Sequence, residues 1–344
     1  MGANMAFFFI CLLLVMSEST MVVALTPQNL FNEAYVGEEN LVPLRVGAYQ
    51  ETCPDAEAIV LSWVEKAVFE DPRMAASLLR LHFHDCFLIC LLQGCDASVL
   101  LDDTVNFVGE KTAGPNFNSL RGFEVIDSIK FDLEMACPQT VSCADILAIA
   151  ARDSVYLSGG PSWEVQLGRR DSLTASKTEA NNNIPAPNST VSILLTKFEA
   201  VGLSLADMVA LSGAHTIGKA RCSTFSARFD SKRGSNAPEM NMEFLESLEY
   251  LCSESNTTLA HLDLVTPTRF DNQYYVNLMN GKGLLFSDQV LMIGDERTRQ
   301  IVQTYVDNLD IFFEDFKISM LRMGRLNPLT GNKGEIRRIC RSIN

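Results

Sequence analysis

The sequence predicts a mainly α protein with a very small β component. Three observations point there. Long runs free of Gly and Pro repeat apolar residues at intervals of three and four, the period of a helix with one buried face. Short clusters of Gly, Pro, Asn and Asp separate those runs, as helix breakers do. Only one stretch, GGPSWEVQLGRRD from Gly159 to Asp171, reads as a turn with a short strand pair.

Taken in order, the chain opens with Met1 to Ala6 and the apolar run FFFICLLLVM, too short to span a bilayer. It reads as a secretory signal over residues 1–24, cleaved between Ser17 and Ala24, although no Lys or Arg precedes the apolar core. Residues 25–47 carry Glu33, Glu38 and Glu39 without periodicity and read as a poorly ordered acidic arm. Residues 48–344 form the main domain. Ala56 to Glu70 is amphipathic, and Pro72 opens a second helix through MAASLLRLHFHDC. A loop from Asp102 to Asn118 precedes the helices FEVIDSIKFDLEMAC and SCADILAIAARDSVYL. Ser142 is placed to cap the latter, with Asp145 three positions on as in a capping box. NNNIPAPN, Asn181 to Asn188, reads as non-helical. Helical patterns return at Val191–Ala200, Leu205–Leu211, Met242–Cys252, Asn272–Met279, Glu296–Asn308 and Phe312–Met323. There is no internal repeat, no linker and no later segment apolar enough to cross a membrane.

The chain has 344 residues, 47% of them hydrophobic and 20% charged, as in an ordinary globular protein. A formal net charge of −14 argues against nucleic acid and polyanionic surfaces as partners. Ten Cys, scattered rather than in C-x-x-C pairs, favour disulfides in an oxidising compartment over zinc. Two sequons, Asn188-Ser189-Thr190 and Asn256-Thr257-Thr258, fit a secreted glycoprotein.

The chemistry gathers in RLHFHDCF. On a helix Arg80, Phe83 and His84 share one face, so a fixed cation and an aromatic wall stand beside a proton-moving imidazole. His82 falls near the opposite face and reads as a core residue. A zinc pair of His82 and His84 is the competing reading, but His-x-His suits a strand better. LSGAHTIG supplies another isolated His, His215, after an apolar helical run. Three of the four His therefore lie in two motifs, an economical use of one axial haem ligand and one acid–base group.

These residues, together with GCDASVLLD, GEK, NSLRGFEVID, CPQTVSCADILA, VALSGAHTIG, TPTRFDNQYY, GLLFSDQ and LTGNKGEIRRIC, make the chain resemble a class III secretory plant peroxidase from about Tyr49 to Asn344. The resemblance implies a two-lobed helical fold around one haem b. It implies His215 as the iron ligand, with Asp288 accepting from its ring, and Arg80, His84 and Asn116 as catalytic residues. Glu110 would continue the Asn116 network. Phe83 would close the distal pocket, Arg73, Ser77 and Ser119 would lie near the propionates, and Pro185 would line the donor entrance. Two Ca²⁺ are implied: a distal ion on Asp85, Gly94, Asp96 and Ser98, and a proximal ion on Thr216, Asp263, Thr266, Arg269 (through its carbonyl) and Asp271. The implied disulfides are Cys53–Cys137, Cys86–Cys95, Cys143–Cys340 and Cys222–Cys252. Cys11 lies in the signal, and Cys90 is left over.

One departure stands out. The family pattern CFVQGC is here CFLICLLQGC, with four extra residues, Ile89 to Leu92. They lengthen the Cys86–Cys95 loop and are expected to weaken the distal Ca²⁺ site and that disulfide. The leading expectation is a secreted, monomeric enzyme of the cell wall or apoplast that reduces hydrogen peroxide and oxidises phenolic donors. The competing one is a Ca²⁺-bearing, peroxidase-like structural protein impaired by the insert.

Overall fold

A computed structural model describes residues 42–87, 94–233 and 240–344 of the chain. The signal, nearly all of the acidic arm, Cys90 and the insert Ile89 to Leu92 lie outside the described residues. The end of the arm does not hang free: Arg45 exchanges backbone hydrogen bonds with Leu167.

Thirteen α-helices and one two-stranded sheet make up the described residues. The first four are α1 (Ala56–Glu70), α2 (Arg73–Cys86), α3 (Phe123–Ala136) and α4 (Cys143–Leu157). α1 buries Ala56, Val60, Val64 and Ala67, a stripe at helical spacing. α4 is buried almost all round and is the axis of its half of the molecule. Its cap is Ser142, whose hydroxyl accepts from the Asp145 amide at 3.1 Å. The Asp145 carboxylate does not complete a box. It accepts instead from Tyr49, Gly168 and Arg169, which gives a buried Asp145–Arg169 ion pair.

The second half contains α5 (Lys177–Asn183), α6 (Val191–Ala200), α7 (Leu205–Ser212), α8 (Cys222–Phe225) and α9 (Met242–Cys252). It ends with α10 (Gln273–Met279), α11 (Phe286–Ile293), α12 (Glu296–Asp307) and α13 (Leu309–Met323). The complete capping box lies at α7, where Ser204 and Asp207 satisfy each other's amides. β1 (Lys219–Arg221) pairs antiparallel with β2 (Leu259–His261), Ala220 opposite Ala260.

Two further expectations are corrected. Gly159 to Asp171 forms no strand pair, only single bridges from Leu167 to Arg45 and from Asp171 to Glu335. Its amides at Gly168 and Arg169 go to the Asp145 carboxylate, so no ladder can run through them. The first three residues of NNNIPAPN are helical, because Ser176 caps α5 with a bond from the Glu179 amide. The helix stops at Ile184, the residue that Pro185 keeps out of helical conformation.

The apolar interior has two main bodies. One joins α1, α3 and the buried length of α4. The other joins α7, α10, α12 and α13 around Phe270, Phe312 and Phe316. α2 serves both, giving Met74, Leu78 and Leu81 to the first and Ala75 and Leu79 to the second. A helix held from two sides carries its remaining face, Arg80, Phe83 and His84, rigidly. All four implied disulfides are formed, Cys86–Cys95 among them despite the longer loop. Among the described residues no helix is long and apolar enough to cross a membrane.

Candidate active site

α2 presents Arg80 and His84 side by side. The His84 ring nitrogens have distinct partners. Nδ1 stands 2.6 Å from Asn116 Oδ1, an atom that can only accept, so Nδ1 carries the proton. The amide of Asn116 is itself oriented, since its Nδ2 donates to the Glu110 carbonyl at 2.9 Å. Nε2 is thereby an acceptor, and Arg80 Nε donates to it at 3.0 Å. Burial above all, helped by the Arg80 charge, holds His84 well below the usual histidine range. A buried, neutral imidazole whose Nε2 is an acceptor can take a proton from a small molecule that displaces the Arg80 contact.

The rest of the Arg80 guanidinium donates to the Ser119 carbonyl and hydroxyl and to the Pro115 carbonyl. No carboxylate neutralises it among those partners. Burial, then the charges of Arg73 and Arg221, pull its pKa down to about 10. Three mutually repelling cations on an acidic chain make a seat for anionic groups. Ser77 lies one turn beyond Arg73 and bonds its carbonyl. Phe83 is half-buried and stacks on Phe87 at 4.4 Å, which in turn packs on Phe198.

His215 lies in a short 3₁₀ turn, Gly213–Thr216, that continues α7. Two glycines let that turn dock. A Cβ on Gly213 would fall 2.4 Å from the Tyr275 hydroxyl and 2.6 Å from Phe312. Gly218, with φ +101°, passes against Ala76 of α2. His215 Nδ1 donates to Asp288 Oδ1 at 2.8 Å, leaving Nε2 as a ligand atom on a side chain still 38% exposed. Asp288 is buried in the first turn of α11 and also accepts from Tyr274 and from the Leu285 amide. These donors fit a haem: a carboxylate-backed imidazole for iron, and a cationic cluster for its propionates.

Two oxygen-rich clusters follow the two histidines directly. Asp85, next to His84, is fully buried; its Oδ2 accepts from the Ala97 amide and its Oδ1 has no hydrogen-bond partner. Burial and neighbouring Asp96 raise its pKa, as burial raises that of Asp96. Ser98 and the buried Gly94 adjoin them. Glu110 reaches this cluster through Ser98 and the Ser176 amide, so its side chain serves the acidic site while only its carbonyl serves Asn116. Near His215, the Thr216 and Thr266 hydroxyls each approach both Asp263 Oδ2 and Asp271 Oδ1 at 3.1–3.3 Å. Each hydroxyl has one proton, so two of these four approaches bring lone pairs together. Arg269 stands at the rim, 3.7 Å from Asp271. A hard cation would relieve both clusters. Among the described residues no group of three His, Cys, Asp or Glu side chains is placed to hold a metal ion, so either shell would draw on hydroxyl and carbonyl oxygens as well.

Some supporting groups carry no sequence signal. Tyr274, which donates to Asp288, and Asn181, whose side-chain oxygen accepts from the Gly114 amide at the distal loop, have no role assigned to them from the sequence. Pro185 is half-buried in a segment tied to α11 by the Ser287 amide and the Pro187 carbonyl.

An acceptor imidazole beside a buried guanidinium, opposed in function by a carboxylate-backed histidine, defines a class: redox enzymes that cleave a peroxide bond. The comparisons agree. The family model described as Peroxidase matches residues 60–308. The chain is 61% identical to Peroxidase 40 of Arabidopsis thaliana over 305 residues, 88% of this chain and 86% of that one. It is 55% identical to Peroxidase 9 of Arabidopsis thaliana (86% of each chain) and 52% identical to Peroxidase 4 of Vitis vinifera (95% and 99%). The chain belongs to the peroxidase family, among the class III plant peroxidases. It is an enzyme, and its family implies haem and, as a rule, calcium.

Proposed function

We propose that the chain is a secreted, monomeric enzyme that reduces hydrogen peroxide to water and oxidises small phenolic donors by single electrons. The observation that carries this is the His84 tautomer: Nδ1–H fixed on Asn116, with Nε2 an acceptor whose present donor is Arg80 Nε. One haem b, held by His215 through Nε2, would supply the two electrons that cleavage of the peroxide bond requires. His84 takes the proton from the near peroxide oxygen and delivers it to the departing one. Arg80 stabilises the charge that develops there. Asn116 keeps the ring in the accepting tautomer, and Phe83 keeps bulky donors away from the reacting oxygen. Asp288 makes the His215 imidazole more anionic and so a stronger donor to iron. Arg73, Ser77 and Ser119 meet the propionates, and Pro185 flanks the donor entrance.

Two Ca²⁺ ions complete the reading, one on Asp85, Gly94, Asp96 and Ser98, the other on Thr216, Asp263, Thr266, Arg269 and Asp271. Each is adjacent in sequence to a haem-facing histidine, so metal loss would disturb both. The signal-like start, the disulfides and the exposed sequon residues Asn188 and Asn256 support secretion to the cell wall. The test is a visible spectrum of the purified secreted protein, then turnover of guaiacol with hydrogen peroxide. A Soret band and peroxide-dependent turnover are expected; a protein that binds no haem, or binds it and leaves peroxide untouched, refutes the reading.

A further inference from the structure

Three tyrosines lead away from His215 in ring-to-ring steps. Tyr274 stands edge-on to the His215 ring at 6.1 Å between centroids. Tyr275 meets Tyr274 at 5.0 Å, and Tyr305 meets Tyr275 at 5.0 Å. All three are at most 1% exposed. The row ends where the Tyr305 hydroxyl donates to Asp315 Oδ2 at 2.8 Å. Phe270, Phe312 and Phe316 pack the same core, so phenols are not needed there to fill space.

What a phenol adds is one-electron chemistry, and that chemistry depends on where its proton goes. An oxidised phenol is a strong acid, so it forms easily only beside a base. The Tyr275 hydroxyl faces the Val209 and Ala210 carbonyls, which cannot accept a proton at useful cost. The Tyr274 hydroxyl faces Asp288 Oδ1, which already holds the His215 proton; protonating it would strip the ligand of its anion. Asp315 differs. It is a half-buried carboxylate, remote from the site and able to pass a proton on to water.

We propose that Tyr305, with Asp315 as its proton acceptor, is a one-electron oxidation site of this enzyme, reached through Tyr275 and Tyr274. The inference rests on the haem peroxidase reading. Peroxide is the oxidant. When it has oxidised the active site and no donor is bound, one electron passes from Tyr305 through the two intervening rings to the His215 side. The Tyr305 O–H bond breaks, a new O–H bond forms on Asp315, and Tyr305 is left as a neutral phenoxyl radical. The active site is reduced by one electron. The oxidising equivalent is parked where no bulky molecule reaches it, which spares the haem pocket when donors are scarce.

The test uses the full haem-loaded chain, mixed with stoichiometric hydrogen peroxide without donor and freeze-quenched for electron paramagnetic resonance. A tyrosyl signal is expected that narrows when the protein is grown on ring-deuterated tyrosine. Tyr305→Phe should lose the signal, and Asp315→Asn, which keeps the ring and removes the base, should lose most of it. In both variants the Soret band and the rate of reaction with peroxide should stay as in the parent. A signal of undiminished size in Asp315→Asn or Tyr305→Phe, or one with tryptophan splitting from Trp163, overturns the proposal. So does a radical-free sample whose Soret band and peroxide reaction are normal. A chain with no Soret band instead refutes the haem reading itself.

Discussion

His82 and His84 are two positions apart on α2, and both are buried, yet their surroundings assign them opposite tasks. His84 meets Arg80 and Asn116, whereas His82 lies among Trp163, Arg169 and Gly324 beside a cavity of about 10 Å³, room for one water. His84→Ala should slow the reaction with peroxide by about 10²–10⁴-fold while haem is retained. Stopped-flow traces at the parent rate would remove His84 from the role. Because the His84 pKa is held well below the usual range, the parent rate should be flat through neutral pH and fall only in strong acid. His82 speaks for stability instead. Burial and the Arg169 charge pull it from 6.5 to about 3. A depressed histidine favours the fold fully above its unfolded pKa, and that contribution is lost as pH falls toward the folded value. The loss is about 2 kcal/mol near pH 5. His82→Gln should therefore flatten the acid limb of denaturant unfolding, and an unchanged limb argues against it. At the proximal side, Asp288→Asn weakens the acceptor of His215 and should raise the iron reduction potential, measured by redox titration.

At the scale of elements, the junction of α7 with its 3₁₀ turn decides where the ligand stands. Gly213→Ala pushes a methyl into Tyr275 and Phe312, at a cost of about 1–3 kcal/mol. The haem-free variant should melt lower than the parent, and an equal melting temperature means that the contact relaxes at no cost. Most helices were readable because their burial is one-sided: α1, α6 and α9 have the bounds that their spacing predicts. α8, at four residues, is too short for a period to show. α5 is polar, and only its Ser176 cap and Ala180 anchor mark it. The Asp145 box failed for a different reason, since a carboxylate at the right spacing was claimed by a buried arginine distant in sequence.

At the scale of the molecule, two cores meet on α2, and two acidic clusters flank the histidines. Ions bound only in the folded state add stability by mass action. Chelator treatment should therefore lower the melting temperature, and Asp263→Asn should reduce the part of that drop that comes from the His215 side. Melting indifferent to chelator would mean that neither cluster holds an ion. Four disulfides tie distant segments, including α4 to the C-terminal tail through Cys143 and Cys340. The Cys86–Cys95 pair closes across the lengthened loop, consistent with the slow growth of closure entropy with loop length.

The sequence by itself determined the helical class, the shared face of Arg80, Phe83 and His84, and the isolation of His215, because these depend only on local spacing. Resemblance supplied the partners: Asn116, Asp288, the calcium ligands and the cysteine pairs. Tertiary structure alone decided that Asp288 lies buried in a helix rather than on a surface loop, and that Glu110 acts on Asn116 through its carbonyl. It also turned three core tyrosines into a row ending on Asp315. The reason is range. Helical periodicity is written within a few residues, whereas the His215–Asp288 and Tyr275–Tyr305 contacts join segments far apart in the sequence, and the Glu110 carbonyl meets Asn116 only through the path of its own loop.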